Sequence, residues 1–305
     1  MRFPPRATLL LAAALLTGAA ARVANGQSAQ ARVDELLAAD RAFAAGAATA
    51  DLVTSLSAMF ADEVIMPAPP GRLAIGKADA VAALRSNAAN AQSRVEWTPV
   101  RGGVSGDGLH GFTFGLMTVK RADGTTTGAK YLAYWIKGAA GWRVAGYKRV
   151  ARAAGEAPAA LMAPSLPGQA VPPATGAALI DRHRTSLIAA EQAFSDLAQK
   201  IGLGPAFRET GAADAINLGG AASAGFVVGN EAIAKLVQGD APVTDGRVHW
   251  SADTAFVASS GDLGITFGFI HPNGTPPAGA PPGGNPFFTI WRRAGPGAPW
   301  KYIAE

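Results

Sequence analysis

Gly108-Leu109-His110-Gly111-Phe112-Thr113-Phe114-Gly115-Leu116-Met117 returns 153 positions later as Gly261-Asp262-Leu263-Gly264-Ile265-Thr266-Phe267-Gly268-Phe269-Ile270, with glycine, threonine and phenylalanine matched. The same offset pairs Val95 with Val248, Trp97 with Trp250 and Gly76 with Gly229. Small loop differences then pair Trp135 with Trp291 and Trp142 with Trp300, so all six tryptophans fall into three pairs. Further back, Asp40-Arg41-Ala42-Phe43 matches Glu191-Gln192-Ala193-Phe194. An ordered series of matches at nearly one spacing is the mark of a duplicated unit. The expected division is residues 32–152 for copy one and 179–305 for copy two, with an Ala/Pro-rich connection over 153–178. That connection has no apolar periodicity and reads as an exposed, semi-stiff linker.

Within each copy helices come first. Val33, Leu36, Leu37, Asp40 and Phe43 share one helical face, and Ile188, Glu191 and Phe194 repeat its end. Helical stretches are also expected over 52–60, and from Gly76 to Leu84 with a mirror from Gly229 to Val237. The period then falls to two, giving strands at 94–100, 109–120, 130–137 and 142–149 joined by Gly- and Asp-containing turns. Helices followed by an antiparallel meander define an α+β fold. In copy two, Pro272 to Gly284 is too proline-rich to enter a ladder and reads as a long loop.

The first residues, Met1-Arg2-Phe3-Pro4-Pro5-Arg6, then an apolar run from Ala7 to Leu16 and the small residues Gly18 to Ala21, read as a secretory signal over 1–21. Cleavage after Ala21 is preferred and after Ala31 is the alternative. The run is shorter than a bilayer span, so the mature protein is expected in the periplasm or medium, with no membrane contact once the signal is removed. The absence of cysteine removes disulfides and thiolate chemistry. The four histidines show no ligand spacing, and no phosphate loop, nucleophile elbow or dinucleotide fingerprint occurs; neither metal nor cofactor is expected.

A pI near 9.7 raises the question of nucleic acid. Copy one has 15 Lys and Arg against 10 Asp and Glu, copy two 9 against 11, and neither shows a basic stripe. Lys148-Arg149 is the tightest basic group and reads as a solvated strand edge, so no nucleic-acid partner is expected.

The run Gly261 to Gly268, the strand ending Ile290-Trp291-Arg292-Arg293 and then Trp300-Lys301 resemble the SnoaL-like, domain-of-unknown-function 4440 branch of the nuclear transport factor 2-like superfamily. Copy one carries the same pattern more loosely in Tyr134-Trp135-Ile136-Lys137 and Gly141-Trp142-Arg143. The resemblance implies a cone of helices on a curved sheet, enclosing a small apolar cavity, and a fold that pairs through its sheet, here as an intramolecular pseudo-dimer. It leaves function open, because the superfamily includes isomerases, cyclases, ligand carriers and assembly modules.

Proton transfer in such a cone needs an acid, a histidine or a tyrosine facing apolar space. The candidates are Asp40, which copy two keeps as Glu191, with His110 and Tyr134 on neighbouring strands of copy one. Leu263 and Ile290 replace the last two in copy two. The plainer readings are a carboxylate bonded to an amide or to Arg41, and a satisfied core histidine. Met59, Met66, Trp97, Phe112, Phe114, Glu191 and Trp250 are the expected cavity walls, with copy one as the working half. The leading reading is an exported module binding a small apolar or aromatic molecule, non-catalytic or weakly catalytic. An isomerase-, cyclase- or hydrolase-like enzyme using Asp40 with His110 or Tyr134 competes with it, as does a structural pseudo-dimer. Whether the chain is an enzyme stays undecided at this level.

Overall fold

The computed structural model describes residues 27–305 apart from 158, 244, 245, 277 and 282; the expected signal segment lies outside the described residues. Copy one runs α1 (Ala29–Gly46), α2 (Leu52–Met59), β1 (Phe60–Ala68), β2 (Arg72–Ile75), α3 (Lys77–Arg85), β3 (Arg94–Val104), β4 (His110–Lys120), β5 (Thr126–Gly138) and β6 (Gly141–Ala151). Copy two repeats the order as α4 (Ala177–Ile201), α5 (Leu203–Thr210), β7 (Gly211–Asn217), β8 (Val227–Val228), α6 (Asn230–Gln238), β9 (Val248–Val257), β10 (Leu263–Pro272), β11 (Asn285–Arg292) and β12 (Lys301–Ala304). The sheets have the orders β2-β1-β6-β5-β4-β3 and β8-β7-β12-β11-β10-β9, so the two topologies are the same.

Each sheet is therefore six-stranded and mixed rather than the four-stranded meander expected. β1 and β7 enter parallel to β6 and β12, and each carries a short antiparallel edge strand. The register repeats too. Thr113 faces Gly102 and Ala133, as Thr266 faces Ala255 and Thr289. Both copies bulge at the same place, at Val100 in β3 and Asp253 in β9; a bulge bends its strand and sharpens the twist.

The repeated glycine in the centre of the motif has a packing cause. A Cβ on Gly111 would meet Leu36 Cδ2 at 2.6 Å, and one on Gly264 would meet Leu187 Cδ2 at 2.5 Å. The first helix of each copy thus lies directly on bare backbone. Its apolar stripe and the inward residues of the sheet form one core per copy, around Trp97 and Trp135 in copy one and Trp250 and Trp291 in copy two.

The opposite sheet faces share a third apolar cluster. Phe112, Phe114 and Leu132 of copy one pack there with Ile265, Phe267 and Phe288 of copy two. Polar groups tie its rim: Arg101 binds the side chain and carbonyl of Asp214, and the fully buried Lys130 ammonium donates to the carbonyls of Gly220, Ser223 and Gly225. The turns before β4 and β10 grip each other reciprocally. Asp107 accepts from Ser259 Oγ and the Ser260 amide, and Asp262 accepts from the Gly106 amide.

The connection between the copies is pinned rather than free. Met162 and Ser165 donate their amides to Val100 and Gly102, and Val104 donates to Ser165, so this stretch pairs with the edge of β3. Gly103 makes that possible, since a Cβ there would lie 2.8 Å from Ser165 Cβ. Copy two has Phe256 at the matching position.

Candidate functional site

The first-helix acids are both fully buried at the centre of a hydrogen-bonded knot. In copy one Trp97 Nε1 donates to Asp40 Oδ1 at 2.7 Å and the Tyr131 hydroxyl to Oδ2 at 2.8 Å, while Trp135 Nε1 donates to Thr113 at 2.9 Å. In copy two Trp250 Nε1 donates to Glu191 Oε1 at 2.7 Å, and Thr266 and Trp291 donate to Oε2 at 2.5 and 2.9 Å. The acid, both indoles and the threonine recur. Only the length of the acid and one donor change: Asp40 works with Tyr131, Glu191 with Phe287 in the tyrosine's place. The extra methylene of glutamate lets its carboxylate reach threonine and indole without the phenol.

Burial raises both carboxyls above their ordinary range, against the opposing pull of these hydrogen bonds. For Glu191 the result is a pKa of about 7.

His110 and Tyr134 do meet, at 2.9 Å between Nδ1 and the hydroxyl, but on the other side of the sheet. Along β5, Tyr131, Ala133 and Trp135 face the helices, whereas Leu132 and Tyr134 face copy two. Phe112 and Phe114, expected as cavity walls, lie there too, as do Leu263 and Ile290 of copy two. Strand parity groups His110 and Tyr134 correctly; the expectation that they join Asp40 fails because the bulky face is the one between the copies. Burial holds the His110 imidazole at a pKa of about 4, partly countered by Asp107. Met59, the last residue of α2, is part of the core. Met66 borders a separate groove of about 250 Å³. Lys148 and Arg149 are not a solvated edge: Lys148 sits over the Phe288 ring of copy two, and Arg149 donates to Asn90.

A cavity lies in copy two, where the sequence reading takes copy one as the working half. Its volume is about 320 Å³, and Phe194, Phe207, Val237, Ile270 and Phe287 supply apolar wall. Glu191 and Trp250 line it as well, together with Lys148, Asn217 and Glu305. The cause is visible in the register. Ile65 pairs with Gly146 and Ile216 with Ala304, which puts Glu305 where copy one has Tyr147. Tyr147 is buried against Met117, its hydroxyl 3.9 Å from the sulfur; Glu305 and Ile270 stand in their places and leave room. Neither Tyr147 nor Lys148 can be picked out from the sequence as a determinant of this space, because the register that aligns them is tertiary.

The chain is thus an α+β protein of two tandem units, each with helices laid on one face of a six-stranded mixed sheet. No protein-family model matches it, and no curated protein does. Solved structures similar to it include a ketosteroid isomerase-like protein from Erwinia carotovora atroseptica, at 19% identity over 40% of this chain and 98% of that one, with a TM-score of 0.31. A domain of unknown function with a cystatin-like fold from Nostoc punctiforme has 14% identity over 42% and 81%, TM-score 0.34. An NTF-2 like protein of unknown function from Shewanella oneidensis has 12% identity over 38% and 96%, TM-score 0.32.

Proposed function

We propose that this chain is an exported small-molecule-binding protein, non-catalytic or weakly catalytic, whose binding cavity is the hollow cone of copy two. The observation that carries the reading is the pairing of a mostly apolar cavity in one copy with a filled cone in the other. Pockets for small ligands are concave, mainly apolar and provided with a few polar groups. In copy one the corresponding volume is taken by Tyr147 and Met117, so that half serves as support. The shared cluster between the sheets favours an intramolecular pseudo-dimer as the working form.

Binding of N-phenyl-1-naphthylamine, a neutral apolar fluorophore, tests this. The wild-type chain is expected to bind it with enhanced emission, and Ile270→Trp, which fills the cavity, to abolish binding. Equal binding by the filled variant places the fluorophore elsewhere and removes the proposal. Export is tested by N-terminal sequencing of material from the periplasm or medium, where a chain still beginning at Met1 counts against it.

One observation favours a second, catalytic reading: Glu191 lines the cavity with a pKa of about 7, the range in which a general base works at neutral pH. The non-catalytic reading stands ahead of it because three donors already occupy the carboxylate. Asp40 is enclosed in copy one, away from that cavity.

A further inference from the structure

Among the described residues four basic side chains are drawn into the contact between the copies, and three of them are held by oxygen acceptors. Arg101 binds Asp214; Lys130 holds three carbonyls; Arg292 binds Ser165, the Val104 carbonyl and Asp262. The fourth, Lys148, projects from copy one into the wall of the cavity of copy two. Its ammonium lies 5.3 Å from the centroid of the Phe288 ring, and it makes no hydrogen bond or ion pair with any described residue.

The one acid beside it, Glu305, is turned to another partner, accepting from Asn217 Nδ2 at 2.6 Å. Burial lowers the pKa of the Lys148 ammonium and raises that of the Glu305 carboxyl, so each is costly to keep charged alone. An ammonium over an aromatic ring is partly stabilised by the ring quadrupole, yet three N–H donors remain unmatched. The rest of the cavity is largely hydrocarbon, apart from the Glu191 carboxyl, which Trp250, Thr266 and Trp291 already hold.

Resting on the binding reading above, we infer that the ligand is an apolar carboxylic acid, its carboxylate paired with Lys148 of copy one and its hydrocarbon body among Phe194, Phe207 and Phe287 of copy two. The site is then composite: copy two supplies the volume, and copy one the charge that selects the head group. A charge-assisted hydrogen bond to a half-buried ammonium in a mostly apolar wall is among the stronger polar contacts available, and a ligand with a neutral head forgoes it.

The experiment compares decanoate with 1-decanol, which share a chain and differ in charge, as competitors of N-phenyl-1-naphthylamine. The wild type is expected to prefer decanoate by about tenfold or more, the range for a hydrogen bond to a charged group. Lys148→Met is expected to reduce the preference for decanoate over decanol to about twofold, and Lys148→Arg to retain it. A wild type that binds both equally, or a Lys148→Met variant that keeps the preference, overturns the inference and leaves the cavity reading intact. Failure of the fluorophore and of decanol to bind at all removes both. A measurement on the wild type stands even if Lys148→Met does not fold: carboxyl-¹³C decanoate bound next to an ammonium should titrate below the free acid, whereas one in merely apolar surroundings should titrate above it.

Discussion

Trp250 donates its indole N–H to Glu191 at 2.7 Å, and the equivalent pair in copy one, Trp97 and Asp40, has the same separation. An indole can only donate, so each tryptophan favours the ionised acceptor. Trp250→Phe keeps most of the apolar area and removes the donor. The expected loss is about 1 to 3 kcal/mol, the penalty for leaving a buried polar group short of a partner. It should be larger at pH 8, where Glu191 is charged, than at pH 5. Urea unfolding at the two pH values measures both, and an equal loss at each would contradict a bond made chiefly to the charged form.

Glu191 also sets a direction for stability against pH. Its pKa is raised from 4.5 to about 7 in the folded chain, so between those values the folded state holds a proton that the unfolded state has released. Stability from this group is present in acid and is lost as pH rises through that window, by up to about 3 kcal/mol at 1.36 kcal/mol per unit. Glu191→Gln should flatten the slope between pH 5 and 7 in the same unfolding experiment. A slope that persists unchanged assigns it to another group.

His110 acts in the opposite sense. Its pKa is lowered from 6.5 to about 4, so the folded chain prefers the neutral ring, and stability is lost as pH falls below about 6.5. His110→Leu, which installs the residue copy two carries as Leu263, is expected to remove this acid sensitivity while costing about 1 to 3 kcal/mol at pH 7, because the buried Tyr134 hydroxyl loses its partner. If the variant shows the same acid-induced loss as wild type, protonation of His110 is not its origin.

Asp40→Asn separates scaffold from site. The neutral amide keeps the shape but puts an NH2 in place of one carboxylate oxygen, so that either Trp97 or Tyr131 loses its acceptor. A loss of about 1 to 3 kcal/mol is expected, with unchanged affinity for N-phenyl-1-naphthylamine. Loss of affinity without loss of stability would return Asp40 to the binding site.

The clasp between the turns offers a test of coupling. Asp107→Ala and Asp262→Ala remove acceptors that belong to one network, since Ser259 and Ser260 meet Asp107 while Ser260 Oγ also donates to Asp262 at 2.5 Å. Their effects on unfolding free energy should fail to add by about 0.5 kcal/mol or more. Strict additivity would mean that the two carboxylates act alone.

The fold was largely legible because duplication left its own record: Thr113 and Thr266, or Gly111 and Gly264, sit in equivalent registers as their spacing demands. β1 and β2 escaped notice because Ala61-Asp62-Glu63 breaks the alternation of β1, and Pro69-Pro70-Gly71 reads as loop. The polar centre was half legible. Asp40 and Glu191 stand out as acids on apolar helical faces, but their partners Trp97 and Trp250 read as cavity walls, since nothing local says that an indole N–H will end beside a carboxylate. The space inside copy two was not legible at all. It turns on Tyr147 against Glu305, aligned only once β1 pairs with β6 and β7 with β12.

Arg101 of copy one reaches Asp214 of copy two, while the residue matching Arg101 in copy two is Thr254. In an association of two identical chains about a twofold axis, every such contact is made twice, and a substitution on one side is imposed on the other. Covalent joining lifts that obligation. One half can harden into a buttress while the other is hollowed out. Gene duplication followed by fusion thus grants a symmetric architecture the freedom to specialise that symmetry itself forbids.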